Sequence, residues 1–432
     1  FVIRDRLPAG VRCVENGPAV DLGPTGPHAA AGFNPGGVIT PVCNAAGNEM
    51  VWDFGDQELT MSPGTARYDF IIDFVARVEN TAFTSEGVVI RNGGGVAGGG
   101  TDVTASYVNE SGTTVVLDFA PVDIVVREPV IALTKSFAVV NSDAADVLTV
   151  TVTATNNGTA AAYNLQVLDD LVGSDLSYIP GSAGGTDPPD NVDITTFGAN
   201  QPIFSWNSVN PDYEIAPTAV KTFTFDVRVD TTAQPLEILD NTIQAKWDSL
   251  PGQTTALNAS GTIGADGSAL GLRNGAVPNA AGAVNDYEAV ASASTSVLPL
   301  TISKTDLDTA VVPTIGAHKN FQIEIALPEG TTNNLVVTDE LIFSGLSYFL
   351  SNNAAFDVTY TFQNIATING QPPTEAAFNA FPADNASGSV VWNIGTVVTE
   401  EENDTAVSAV NPVIRINYFA RVNNDLLTDA GD

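Results

Sequence analysis

From Val147 to Thr159 the chain reads VLTVTVTATNNGT, apolar and polar side chains alternating until an Asn-Asn-Gly run interrupts them. A period of two puts alternate side chains on opposite faces of an extended backbone, so this segment predicts a half-buried β-strand followed by a tight turn. The same alternation, rich in Val, Thr, Ile and Phe, recurs along the chain with Gly, Asn, Asp and Pro between the runs. Only Pro372 to Phe381 (PPTEAAFNAF) has helical spacing, and it is short. The expected fold class is all-β.

The strands also repeat as a series. Phe1 to Val11 (FVIRDRLPAGV), Leu165 to Tyr178 (LQVLDDLVGSDLSY) and Leu335 to Tyr348 (LVVTDELIFSGLSY) each join an apolar strand bearing one Asp to a Leu and a turn. Downstream of each comes a Trp segment, at Trp52, Trp206 and Trp392, and then an alternating strand ending at Arg77, Arg228 or Arg421. Upstream of the second and third Asp strands lie VIALTKSF around Lys135 and PLTISKTD around Lys304. One such match is unremarkable in β-rich sequence, but the same order of marks in every copy is the signature of a tandem array.

The succession of a Lys strand, a TVTATNNGTA strand, an Asp-Leu strand and a late Asn strand resembles the prokaryotic surface-protein repeat catalogued as domain of unknown function eleven. It is also similar to the isopeptide-forming sandwich domains of fimbrial pilins and adhesins. The resemblance covers nearly the whole chain and implies an extracellular, cell-surface protein built of many copies. The architecture expected is tandem immunoglobulin-like β-sandwiches, with a first repeat over 1–128 lacking its first strands, a complete second over 129–297, and a third over 298–432 lacking its last strand. Asn92 lies 15 residues after Arg77 and Asn241 13 after Arg228, which would put the third Asn near 434 to 436. The chain also reads as opening inside a strand. These ends imply either a window on a longer array or edges completed by neighbouring copies, end to end.

Composition narrows the partners. With 432 residues and 44% hydrophobic content the chain is long enough for roughly three cores. Its 50 acidic residues against 16 basic ones give a net charge of −34, which repels phosphate backbones and anionic bilayers, so neither nucleic acid nor membrane is an expected partner. No apolar run is long enough to cross a bilayer as a helix. The two cysteines, Cys13 and Cys43, share one Gly- and Pro-rich segment, and a disulfide between them is expected, implying an oxidising compartment.

Parity supplies the candidate chemistry. Lys135 is in phase with Ile131, Leu133 and Phe137, and Lys304 with Leu298, Leu300 and Ile302. Asp5, Asp169 and Asp339 are each in phase with the apolar residues of their strands, and Asn92 and Asn241 with theirs. Lys, Asp and Asn should therefore face one apolar core, where unpaired charge is costly. An amide bond between Lys135 and Asn241, assisted by Asp169, would relieve that cost, whereas a buried ion pair with an Asn capping a turn is the other reading. The third repeat offers Lys304 and Asp339 without an Asn, and the first Asp5 and Asn92 without a Lys.

Asp187, Asp190 and Asp193 crowd one loop at a spacing that suits calcium as a cofactor, although a solvated acidic loop is the reading that charge clusters usually take. The two histidines, His28 and His318, fall in different repeats and give little basis for a hydrolytic site, and no carboxylate pair stands out for polysaccharide cleavage. The expected function is structural, a module of a fibre, filament or stalk, and not an enzyme. The alternative is an adhesin-type module whose loops, such as Cys13 to Cys43, recognise a glycan or host protein.

Overall fold

The computed structural model describes the chain except residues 14–41, 45, 56–73, 75, 82, 95–102, 207–213, 252–272, 274–286, 311, 313, 344–345, 401–411 and 425–432. The described residues are all-β. Three separate apolar cores run along the sequence, one from Ile3 to Val126, one from Ile131 to Val297 and one from Phe321 to Val422.

The middle core lies between two sheets. One orders Ile131–Phe137, Val147–Asn156, Val220–Val229 and Leu176–Tyr178 side by side. The other contains Glu288–Val297, Ile238–Asp248, Ala162–Asp170 and Ile203–Ser205 in that order. Val147–Asn156 buries alternate residues along its whole length, as its period of two requires. Phe204, Phe223, Phe225 and Trp206 fill the space between the sheets, with Phe204 and Phe225 stacked 4.8 Å apart and Trp206 edge-on to Phe223 at 5.0 Å.

The third core has a sheet of Thr301–Asp306, His318–Ala326, Val413–Val422 and Leu346–Ser351, facing Thr331–Glu340, Ser389–Thr399 and Ile365–Ile368. In the first, Glu49–Asp53, Val2–Arg6, Val103–Val108 and Thr114–Asp118 form consecutive strands of one sheet, Val11–Cys13 pairs with Ala76–Val78, and Val89–Asn92 pairs with Val122–Val125. Cys13 and Cys43 are joined in a disulfide with their Cα atoms 6.2 Å apart. Residues 14–41 of the loop they close lie outside the described residues.

The helical spacing of Pro372 to Phe381 yields a single 3-10 turn, Glu375–Ala377. Thr374 before it and Phe378 after it are both extended, so the turn has no second turn to propagate into.

The cores are joined by contacts as well as by chain. Between the first and the middle, the Arg273 guanidinium donates from Nε to Asn80 Oδ1 at 2.9 Å and from Nη2 to the Thr81 carbonyl at 3.0 Å, and pairs with Glu128. Between the middle and the third, the amides of Ala144 and Thr331 donate to the carbonyls of Glu329 and Ala233. At this second joint Gly330 holds φ +122°, and a Cβ there would sit 2.5 Å from the Ala233 carbonyl oxygen, so the close backbone approach requires glycine.

Candidate cross-link site

In the middle core the Lys135 strand is an edge strand that packs across the sandwich on Glu288–Val297, while Ala162–Asp170 and Ile238–Asp248 lie side by side and bring Asp169 opposite Ile243. Lys135 Nζ donates to Asp169 Oδ1 at 2.6 Å, and Asn241 Nδ2 donates to Asp169 Oδ2 at 3.2 Å. Neither the Lys135 nor the Asp169 side chain is exposed to solvent at all. One carboxylate thus has the amine on one oxygen and the amide on the other, which is the convergence parity implied. Phe225 forms the apolar floor, its ring centre 5.7 Å from Lys135 Nζ.

The electrostatics follow from dryness. Burial pushes the Lys135 amine down, against the pull of Asp169, and pushes the Asp169 carboxyl up, against Lys135 and Asn241. Both shifts favour the neutral forms, a free amine beside a carboxylic acid. Asn241 Oδ1 is buried without a hydrogen-bond partner. An amide turned over presents that oxygen in place of the nitrogen, so a protonated Asp169 can donate to it and draw electrons from the amide carbon. Nucleophile, acid and electrophile are then one constellation.

The other two cores hold parts of it. In the first, Asn92 Nδ2 donates to Asp5 Oδ2 at 3.1 Å, while Asp5 Oδ1 is buried with no hydrogen-bond partner. Burial pushes the Asp5 carboxyl up, opposed by Asn92. In the third, Lys304 Nζ lies 2.7 and 2.9 Å from the two oxygens of Asp339, and the Tyr418 hydroxyl donates to Oδ2, where the middle core has Asn241. Burial and the Asp339 charge push Tyr418 up, and burial pushes Lys304 down.

Lys304 departs from the inward orientation expected of it. Its side chain is 26% exposed and Ile302 on the same strand is 56% exposed. The middle core covers its lysine strand with Glu288–Val297, and no described strand of the third core takes that place.

Asp187, Asp190 and Asp193 do not gather into a cation site. Among the described residues no group of three or more His, Cys, Asp or Glu side chains is placed to hold a metal. Asp187 accepts from Lys221 Nζ at 2.9 Å and from the Thr222 amide, and Asp193 accepts from the Thr195 amide and from the Thr195 and Thr196 hydroxyls. Local donors take the oxygens a cation would need, and those on Asp193 hold its carboxyl well below the usual range, the Thr196 hydroxyl most strongly.

Two residues escaped the sequence reading. Tyr418 occupies the place of Phe225, each three positions before the marker arginine, so the signal was a polar atom appended to a core aromatic. Arg273 stands in a stretch without periodicity, where no pattern identifies a partner.

No family model matches the chain, so the resemblance to domain of unknown function eleven stands on its residues alone, and no curated protein matches it either. Among solved structures it is similar to a C-terminal fragment of the major pilin GBS80 of Streptococcus agalactiae, at 10% identity over 70% of this chain and 97% of that one, with a TM-score of 0.26. It is similar to BcpA, the major pilin subunit of Bacillus cereus, at 11% identity over 72% and 73%, with a TM-score of 0.28. It is similar also to the pilus backbone RrgB from Streptococcus pneumoniae, at 11% identity over 68% and 90%, with a TM-score of 0.26. At this level the matches say nothing by themselves of what the chain does.

Proposed function

We propose that the chain is a structural module of an extracellular or cell-surface fibre, three β-sandwich domains over 1–128, 129–297 and 298–432, whose middle domain is closed by an amide bond between Lys135 and Asn241. The observation that carries the reading is the Lys135, Asp169, Asn241 constellation in a core closed to water. The neutral Lys135 amine attacks Asn241 Cγ, the new Nζ–Cγ bond forms as the Cγ–Nδ2 bond breaks, and ammonia leaves. Asp169 gives its proton to the carbonyl oxygen as the tetrahedral centre forms, carries one from the amine to the departing nitrogen, and takes the first back as the carbonyl re-forms. No oxidant or cofactor is required.

Such a bond joins the first strand of the domain to a late one, a placement that suits a filament better than a ligand pocket. The contacts at Arg273 and Gly330, which hold successive domains together, and the Cys13 to Cys43 disulfide, which belongs to an oxidising compartment, support the same reading. The partners it implies are copies of this chain or adjacent repeats, arranged end to end.

High-resolution intact mass tests it. The expected result is a deficit of about 17 Da, one ammonia, beyond the two hydrogens of the disulfide, located to a branched peptide linking Lys135 and Asn241. A full mass in a folded sample overturns the covalent reading and leaves an ordinary buried ion pair.

A further inference from the structure

The marker arginines of the middle and third repeats occupy the same register among different neighbours. Arg228 lies between Val147 and Ser177 on the flanking strands, whereas Arg421 lies between His318 and Phe349. Arg228 donates from Nη1 to the Ala145 carbonyl at 3.1 Å. The Arg421 guanidinium instead rests over the Phe349 ring, 5.7 Å from its centre, and among the described residues it makes no hydrogen bond or ion pair.

His318 is held in the same manner. Its ring stacks face to face on Phe356, with centres 3.7 Å and planes 8° apart, and Phe356 meets Phe419 edge-on at 5.4 Å. The imidazole likewise makes no hydrogen bond among the described residues. Burial, and then the Arg421 charge, push it down. Asp384 is the carboxylate that feels Arg421, but its oxygens accept from the Asn352 amide at 2.9 Å, Asn385 Nδ2 at 3.0 Å and Asn353 Nδ2 at 3.5 Å. Lys319, the next residue along, pairs with Asp306. His318 and Arg421 are both half-buried, so each is fixed by an aromatic ring while part of it stays open to solvent.

Position indicates the occupant. The residues that follow the marker arginine make the joint in both earlier repeats: Asn80 and Thr81, after Arg77, receive Arg273, and Ala233, after Arg228, receives the Thr331 amide. His318 and Arg421 stand at that same end of the third sandwich. We propose that they form a carboxylate site whose occupant is an Asp or Glu side chain of a second copy of this chain, docked on that end. The planar guanidinium fork takes both carboxylate oxygens and His318 donates beside it. With Asp384 close by, the pair has too little positive charge for a dianion such as phosphate, and each copy offers 50 acidic residues. The choice of a second copy rests on the fibre reading, whereas the basic pair stands without it.

The probe is sodium acetate, titrated into the whole chain against sodium chloride at equal ionic strength, with the His318 ring followed by NMR and assigned through His318→Gln. Acetate should move the His318 titration back up toward its ordinary value of 6.5, because a bound anion favours the imidazolium. Raising the protein concentration in chloride alone should do the same, with dimers growing in sedimentation. Arg421→Gln should abolish both shifts. Phe349→Ser, which gives Arg421 the neighbour Arg228 has, should weaken acetate binding about two- to fivefold as the guanidinium loses its aromatic support. An acetate shift without any dependence on protein concentration overturns the second copy as occupant and leaves a site for free carboxylates. No acetate shift, or one that survives Arg421→Gln in a chain whose third-domain unfolding transition is unchanged, overturns the site. Intact mass on the same sample reads the Lys135 to Asn241 deficit separately, so failure of the cross-link and failure of the carboxylate site are told apart.

Discussion

Lys135 Nζ and Asp169 Oδ1 lie 2.6 Å apart, with neither side chain touching solvent. Opposite charges at that distance attract strongly, yet removing both from water costs several kcal/mol per ion, and burial outweighs the attraction in pushing Lys135 down and Asp169 up. What it does depends on Asn241, the third polar group at the site.

Asn241→Ala keeps the pair and removes only the electrophile. The variant is expected at full mass apart from the disulfide and the substitution. Closing a loop of roughly 100 residues removes about 4–5 kcal/mol of unfolded-chain entropy, so the middle domain should lose stability of that order. Asp169→Ala should also stop the bond, or slow it at least about 100-fold. Intact mass over time and chemical denaturation read the two effects.

The first core should weaken as pH rises from 3.8 through the raised value that Asp5 has in the folded chain. Asp5 titrates near 3.8 when unfolded and higher when folded, so between those values the folded chain binds more protons than the unfolded one. The stability Asp5 contributes is therefore full below 3.8 and is lost as pH climbs through its folded value. Asp5→Asn should flatten the first-domain transition across that window in denaturant melts at a series of pH values. An unchanged slope would refute the assignment.

Tyr418→Phe removes the hydroxyl that donates to Asp339 and restores the aromatic found at Phe225. A hydrogen bond to a charged group is worth about 1.5–3 kcal/mol, and the third domain should lose about that much. Because burial and the Asp339 charge push Tyr418 up from 10.0, its contribution is full below that pH and lost as pH rises beyond it. The wild-type domain should soften in alkali, and the variant should not share that loss.

Gly330→Ala places a methyl group 2.5 Å from the Ala233 carbonyl oxygen at a φ of +122°. The joint must open while each core keeps its packing. Small-angle scattering should show a broader distribution of dimensions, and the separate unfolding transitions should stay where they are.

Most of the sandwich was legible because a two-residue period translates directly into faces. Val147 to Asn156, the three Asp strands and the inward Lys135 needed nothing more than parity. Parity tells which face a side chain takes but not what covers that face. Lys304 has the right phase and is still a quarter exposed, because no described strand packs over it. The acidic loop shows a related limit: three nearby aspartates can be read as a ligand set or as a solvated loop until Lys221, Thr195 and Thr196 are seen to reach the oxygens of Asp187 and Asp193. Tyr418 and Arg273 act through partners 79 and 193 residues away, and no local pattern reports such distances.

All five lysines sit against carboxylates: Lys135 on Asp169, Lys221 on Asp187, Lys246 on Glu288, Lys304 on Asp339 and Lys319 on Asp306. Ammonium groups spent inside one molecule are not on offer to the next, and each molecule carries a net charge of −34. Two copies approaching one another meet repulsion, with a reach of about 30 Å in 0.01 M salt and about 8 Å at 0.15 M. The counterions that offset this repulsion must come from the medium, so the ionic strength of the surroundings sets how closely two such acidic surfaces can approach.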